Sequence, residues 1–80
     1  MVATAYVLIT VGHGMARKVY DKLSKISSIT HVNAVTGPYD MILTIQGSDF
    51  NTIGNLIINK IHSIEGIDRT ITCNVIEFEQ

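Results

Sequence analysis

The sequence predicts an α+β sandwich of order βαββαβ: a four-stranded antiparallel sheet with two helices on one face. Three observations predict it. Apolar residues alternate with period two in some stretches and recur with helical spacing in others. Those stretches follow one another as strand, helix, strand, strand, helix, strand. The two halves of the chain also share one plan. Val7-Leu8-Ile9-Thr10-Val11 resembles Met41-Ile42-Leu43-Thr44-Ile45, and Lys25-Ile26-Ser27-Ser28-Ile29 resembles Lys60-Ile61-His62-Ser63-Ile64, an offset of 35 residues from Lys25 to Lys60. Two strand–helix–strand units in tandem are the split βαβ pattern of ferredoxin-like folds.

Residues 3–11 are alternating and rich in β-branched side chains, which predicts a first strand with Ala5, Val7, Ile9 and Val11 on one side. Gly12-His13-Gly14 breaks it. Met15, Ala16, Val19, Leu23 and Ile26 then predict an amphipathic helix over 15–26. A short strand from His31 to Thr36 leads to Gly37-Pro38-Tyr39, the joint between the halves, and Met41–Ile45 is a third strand closed by Gly47. Ser48 or Asp49 is suited to cap a second helix, because either side chain accepts from the unsatisfied first-turn amides. That helix carries Phe50, Ile53, Ile57 and Ile61 on one face. Gly54 in its middle costs ~1 kcal/mol relative to alanine, which predicts close packing there. Glu65-Gly66 turns the chain into a last strand from Ile67 to Phe78.

Continuing the alternation, Ile71, Cys73 and Val75 are expected under the helices beside Val7 and Ile9. Tyr6, Leu8, Val35, Ile42, Thr70, Thr72 and Ile76 are expected on the opposite face. Such a half-apolar face suits two sheets packed across a two-fold axis, a dimeric α+β barrel. Composition points the same way. The chain has 80 residues, of which 46% are hydrophobic and 16% charged. One small domain over 1–80 is expected to leave apolar surface for self-association.

Composition also narrows the function. No apolar run approaches the ~18 residues that cross a bilayer. The start has neither the basic region nor the cleavage site of a signal peptide, so a cytoplasmic setting without membrane contact is expected. A single cysteine, Cys73, excludes an internal disulfide and is expected to be a buried thiol. Net charge is -1, and Arg17, Lys18, Lys22 and Lys25 read as a solvated helix face, so direct nucleic-acid binding is not expected. His13, His31 and His62 lack the spacing of a metal site, and no cofactor motif stands beside them. Gly12-His13-Gly14 opens a helix but lacks the further residues of a phosphate loop, and reads as a turn.

The corner Val35-Thr36-Gly37-Pro38-Tyr39-Asp40 differs from these. Gly37 is free to take positive φ and Pro38 fixes its own, so the loop is shaped in advance. Its backbone groups suit a zwitterion, with Asp40 opposite an ammonium. Equally, Asp40 could only close a turn through its own backbone.

Val35-Thr36-Gly37-Pro38-Tyr39-Asp40-Met41-Ile42-Leu43, then Ile64-Glu65-Gly66-Ile67 and Thr70-Ile71-Thr72, resemble the effector-binding domain of Lrp/AsnC (feast/famine) transcriptional regulators, the regulation-of-amino-acid-metabolism (RAM) module. The similarity runs from the first strand to the last. It implies homodimers packed through their sheets and assembled into octamers or decamers, with an amino acid or similar small effector held where dimers meet. By this resemblance Gly37, Pro38, Tyr39 and Asp40 contribute from the corner, and Thr70 and Thr72 from the last strand. The chain begins at the effector domain's first strand, so a stand-alone form without the helix-turn-helix is expected, acting alone or in mixed assemblies with full-length regulators. A non-enzymatic role follows. The alternative is a small dimeric α+β-barrel enzyme, an isomerase or monooxygenase, whose site would need a polar residue between sheet and helices.

Overall fold

The computed structural model describes residues 2–78. Its elements are β1 (Ala3–Val11), α1 (Ala16–Leu23), β2 (Ile29–Ala34), β3 (Met41–Gly47), α2 (Phe50–Leu56), a π-helical continuation of α2 (Ile57–Ile61), and β4 (Ile67–Asn74). The strands form one antiparallel sheet in the order β2-β3-β1-β4. This is the expected βαββαβ sandwich.

The core follows from the alternation in the two central strands. Ala5, Val7 and Ile9 of β1 face the helices with Met41, Leu43 and Ile45 of β3, and all six are fully buried. Their cross-strand pairing explains why they share a face: Ile9 lies opposite Met41, Val7 opposite Leu43, Ala5 opposite Ile45. Val19 and Leu23 of α1, and Ile53, Ile57 and Ile61 of the second helix, close this layer from above. No polar side chain is buried among the described residues.

The helices start and stop for local reasons. α1 is shorter than the apolar spacing predicts, because Ser24–Ile26 continues it as tight turns, with Lys25 donating to Lys22 and Ile26 to Leu23. Asp49 is the N-cap of α2, its carboxylate accepting from the Thr52 amide at 2.7 Å. That hydrogen bond to the charged form is the main cause that holds the Asp49 carboxyl below its ordinary value. The last turn widens so that the His62 amide reaches the Ile57 carbonyl at 2.9 Å. β2 sits two residues earlier than predicted. Pairing Ala34 with Met41 leaves Val35–Asp40 as the connecting corner.

The last strand overturns part of the predicted face assignment. Val11 pairs with Ile67, yet Thr10 pairs with Arg69, so one extra residue is inserted into β4. Such a bulge reverses the side-chain parity of everything after it. Ile71 therefore shares the open face with Leu8, and Cys73 with Tyr6, instead of lying under the helices. Ile71 and Cys73 are exposed, and Val75, which lies beyond the strand, is half-buried. Thr70 and Thr72 move the other way, onto the helix side opposite Ile9 and Val7. Tyr6, Leu8 and Ile42 do lie on the open face, as expected from β1 and β3. Val35 and Ile76 fall outside the strands.

Two further expectations change. Phe50 lies on the rim of the helix face, 43% exposed, not within it. Gly54 is not closely packed: a Cβ built there meets nothing within 4 Å. The most tightly packed glycine among the described residues is Gly66. It has φ +104°, and a Cβ would lie 2.7 Å from Met15 Cε and 3.0 Å from Val19 Cγ2 of α1. The turn into β4 thus brings backbone directly against the first helix. Gly66→Ala is expected to lower stability by ~1–3 kcal/mol through positive-φ strain and overpacking. Urea unfolding midpoints at unchanged slope check this; a midpoint equal to wild type would count against it.

Candidate functional site

The corner hangs on the end of β1 as much as on its own loop. The Asp40 amide donates to the Ile9 carbonyl at 2.8 Å, and Asp40 Oδ2 accepts from the Val11 amide at 2.9 Å. Asp40 therefore extends the β1–β3 ladder by one backbone bond and one side-chain bond. Its carboxylate is not consumed by the amides of its own loop, which is what a simple Asx turn would require. Within the loop, Val35 donates to the Asp40 carbonyl and Gly37 to the Tyr39 carbonyl, both at 2.9 Å. Gly37 has φ +87°, a conformation glycine adopts without steric cost, and the Gly37–Pro38 bond is cis. Gly37 and Pro38 are exposed, while Tyr39 and Asp40 are half-buried. No cation pairs with Asp40 among the described residues; the ion pair present, Arg17–Asp21 at 3.3 Å, lies along α1. The corner thus offers a half-buried carboxylate held in place by the Val11 amide.

The six residues expected at the site fall into three places. Gly37, Pro38, Tyr39 and Asp40 form one unit. Thr70 lies in the same row of the sheet, opposite Ile9, which itself lies opposite Met41. β1 therefore separates it from β3, about two strand spacings or ~10 Å. Its hydroxyl lies 3.1 Å from His62 Nε2, on the helix side. Thr72 is two pairs further along, opposite Val7, and lines a groove against Phe50 and Gly54. Within one chain, then, the structure brings the corner together and leaves the threonines elsewhere.

A groove of about 470 Å³ opens between α1 and β2, lined by Ala16, Arg17, Tyr20, Val32, Asn33 and Ala34. Ala34 pairs with Met41, so the groove starts next to Asp40. Arg17 reads from sequence as part of a solvated helix face. Its place beside Tyr20 and Asn33 depends on how α1 lies against β2, which local pattern does not encode. Gly12-His13-Gly14 is a turn, with the Gly12 amide donating to Gly66 and the Met15 amide to Gly12. No cluster of metal-ligating side chains exists among the described residues.

No helix of the described residues is long and apolar enough to cross a membrane. Residues 4–78 match the model of the Lrp/AsnC ligand binding domain, and the chain belongs to that family. An uncharacterized HTH-type transcriptional regulator of Pyrococcus furiosus is 31% identical over 72 residues, 86% of this chain and 48% of the regulator. The chain spans 37 to 48% of the length of the curated relatives it matches. Among solved structures, a Thermus thermophilus protein superposes with a TM-score of 0.89 at 26% identity, over 98% of both chains. The L-Met complex of a Neisseria meningitidis transcriptional regulator superposes at 0.84 over 94% of this chain and 50% of its own; at 18% identity it shows the shared fold alone.

The Asp40–Val11 bond makes a separable prediction. Asp40→Ala leaves the Val11 amide without its acceptor and is expected to cost ~1–3 kcal/mol. Asp40→Asn keeps an oxygen acceptor and is expected to recover most of that loss. Thermal melts of the two variants side by side check the order, and equal melting temperatures would remove the bond's structural role.

Proposed function

We propose that this chain is a small-effector-binding and assembly module of the Lrp/AsnC family whose effector is an amino acid. The observation that carries the reading is Asp40: a half-buried carboxylate, fixed by the Val11 amide and free of any cation partner among the described residues, within the matched family domain. Such a charge suits an α-ammonium group, and the exposed backbone of Gly37–Tyr39 suits the rest of a zwitterion. The L-Met complex of the Neisseria meningitidis regulator supports an amino acid as the class. Thr70 and Thr72 join the corner in this reading only from a second copy, since β1 lies between them in one chain. The groove at Arg17, Tyr20 and Asn33 gives the effector's side chain room beside Ala34.

Assembly supplies the second copy. The open face carries Tyr6, Leu8, Ile42 and Ile71, and two such faces pack across a two-fold axis into the dimer of an α+β barrel. Dimers then join into octamers or decamers at their corners. The module acts in a reducing cytoplasm on transcription or amino-acid metabolism, through effector-dependent assembly or by joining regulators that carry a helix-turn-helix. Binding, not catalysis, is its role: the layer between sheet and helices is aliphatic, while Tyr6 and His31 are exposed.

Two measurements test this. A bound effector at 100 times its Kd adds ~2.7 kcal/mol to stability. One or a few of the twenty amino acids are expected to raise the melting temperature of wild type and not of Asp40→Asn, which keeps the Val11 bond and loses the charge. No shift with any of them would end the amino-acid reading. For the dimer, Cys73 is the reporter, since it shares the open face with Tyr6. Its thiol is expected to react slowly with a bulky thiol reagent in wild type and rapidly in Leu8→Asp; equal rates would place the subunit contact elsewhere.

A further inference from the structure

A histidine stands against one of the threonines of the effector reading. His62 Nε2 lies 3.1 Å from Thr70 Oγ1, across the gap between the end of the second helix and β4. Thr70 is half-buried and His62 is exposed. Two observations single out this pair. The first is the wide turn that carries the ring. In an α-helix the His62 amide would reach Ile58, but here it donates to Ile57. Ile57 and Ile61 stay buried, while the point at which the His62 side chain leaves the helix is changed.

The second is the internal repeat. At the offset that relates Lys25 to Lys60, Ser27 stands for His62 and Val35 for Thr70. The first half closes its strand–helix–strand unit without such a pair, so the fold alone does not require it.

The bond has two polarities. A threonine hydroxyl carries one proton and two lone pairs, and an imidazole nitrogen either donates or accepts. With Nε2 bare, Thr70 directs its proton to the ring and turns only a lone pair outward. With Nε2 protonated, the ring donates to Thr70 and the hydroxyl proton is free to point away. An imidazolium has a proton on both nitrogens, so it permits the second arrangement alone. Histidine is the side chain whose charge changes between about pH 5 and 8. The charged groups on the elements that meet here are Lys60 on the same helix, Glu65 in the turn, and Asp68 and Arg69 on β4. None of them forms an ion pair with the ring among the described residues.

We propose that His62 is a positioning residue of the effector site, acting through Thr70: it sets whether Thr70 meets the effector as a donor or as an acceptor. This role rests on the reading in which Thr70 of one copy joins the corner of another. Asp40 there serves the ammonium, so the effector's carboxylate is the group left for Thr70. A carboxylate only accepts, and it needs the arrangement in which the ring donates. Protonation of His62 therefore tightens binding, and affinity falls as pH rises through the histidine range. The loss is partial, because one of the two neutral tautomers still donates from Nε2. By linkage, effector binding draws a proton onto His62.

Calorimetric titration at about pH 5.5 and about pH 7.5 tests this, on either side of the histidine range's middle. The probe is whichever of the twenty amino acids raises the melting temperature most. Wild type is expected to bind it about three- to tenfold more tightly at the lower pH, the worth of one hydrogen bond. His62→Gln keeps an amide that can donate to Thr70 but does not titrate. It is expected to bind equally at both pH values, close to wild type at low pH. Thr70→Val is expected to flatten the profile too, at the weaker affinity. A tie that only holds the helix to β4 would lower stability in these variants and leave the pH profile unmoved. Equal affinity of wild type at both pH values, or a pH response that persists in His62→Gln, overturns the role of His62 and leaves the effector reading standing. No binding of any of the twenty at either pH ends both.

Discussion

Every other part of this molecule is placed by β1. It is paired on both sides, to β3 and to β4, and its odd residues Ala5, Val7 and Ile9 are wholly buried beneath the helices. A strand so committed has one permitted register, because a one-residue slip would carry three buried side chains into water. The costs are large enough to decide this. Burying a valine or isoleucine side chain is worth ~1.5–3 kcal/mol, so reversing β1 would forfeit much of a small domain's net stability. The C-terminal end of β1 then fixes the corner. Ile9 presents a carbonyl and Val11 an amide, and Asp40 answers both.

The corner is rigid for the same reason that it is exposed. Its amides at Val35, Gly37 and Asp40 are already taken, so the loop does not depend on a ligand for its shape. The Thr36 and Tyr39 amides have no backbone partner among the described residues, so the corner presents donors as well as the Asp40 carboxylate. A loop shaped in advance reduces the ordering cost of binding.

Most of the fold is legible in the residues themselves. Alternation in β1 and β3, helical spacing at Val19, Leu23, Ile53, Ile57 and Ile61, and the Asp49 cap each point to the element that forms. The corner is legible as a shaped loop from Gly37-Pro38. β4 is not, and the reason is specific. The alternation Ile67, Arg69, Ile71, Cys73 reads as one face, but the bulge beside Thr10 and Val11 splits it between two. A single inserted residue leaves no compositional trace, yet it exchanges Cys73 for Thr72 on the helix side. Gly54 and Gly66 show the same limit. One lies within a helix and the other in a turn, and only the approach of α1 to the β4 turn tells which is packed against a neighbour. Arg17, Tyr20 and Asn33 come together through tertiary contact alone.

The reversal in β4 has a consequence for assembly. With Ile71 on the open face, that face gains an exposed aliphatic beside Tyr6 and Leu8, and becomes more suited to burial than the alternation predicts. With Thr70, Thr72 and Asn74 turned to the helix side, the flank of α2 faces a polar strand edge instead of more core. A small sheet covered by two helices has enough apolar side chains to fill one interior and leave two regions over. The bulge keeps those two regions apart, one on the sheet face and one along α2. A chain with 46% hydrophobic residues stays ordered in this way because its surplus is sorted onto separate surfaces instead of one continuous patch.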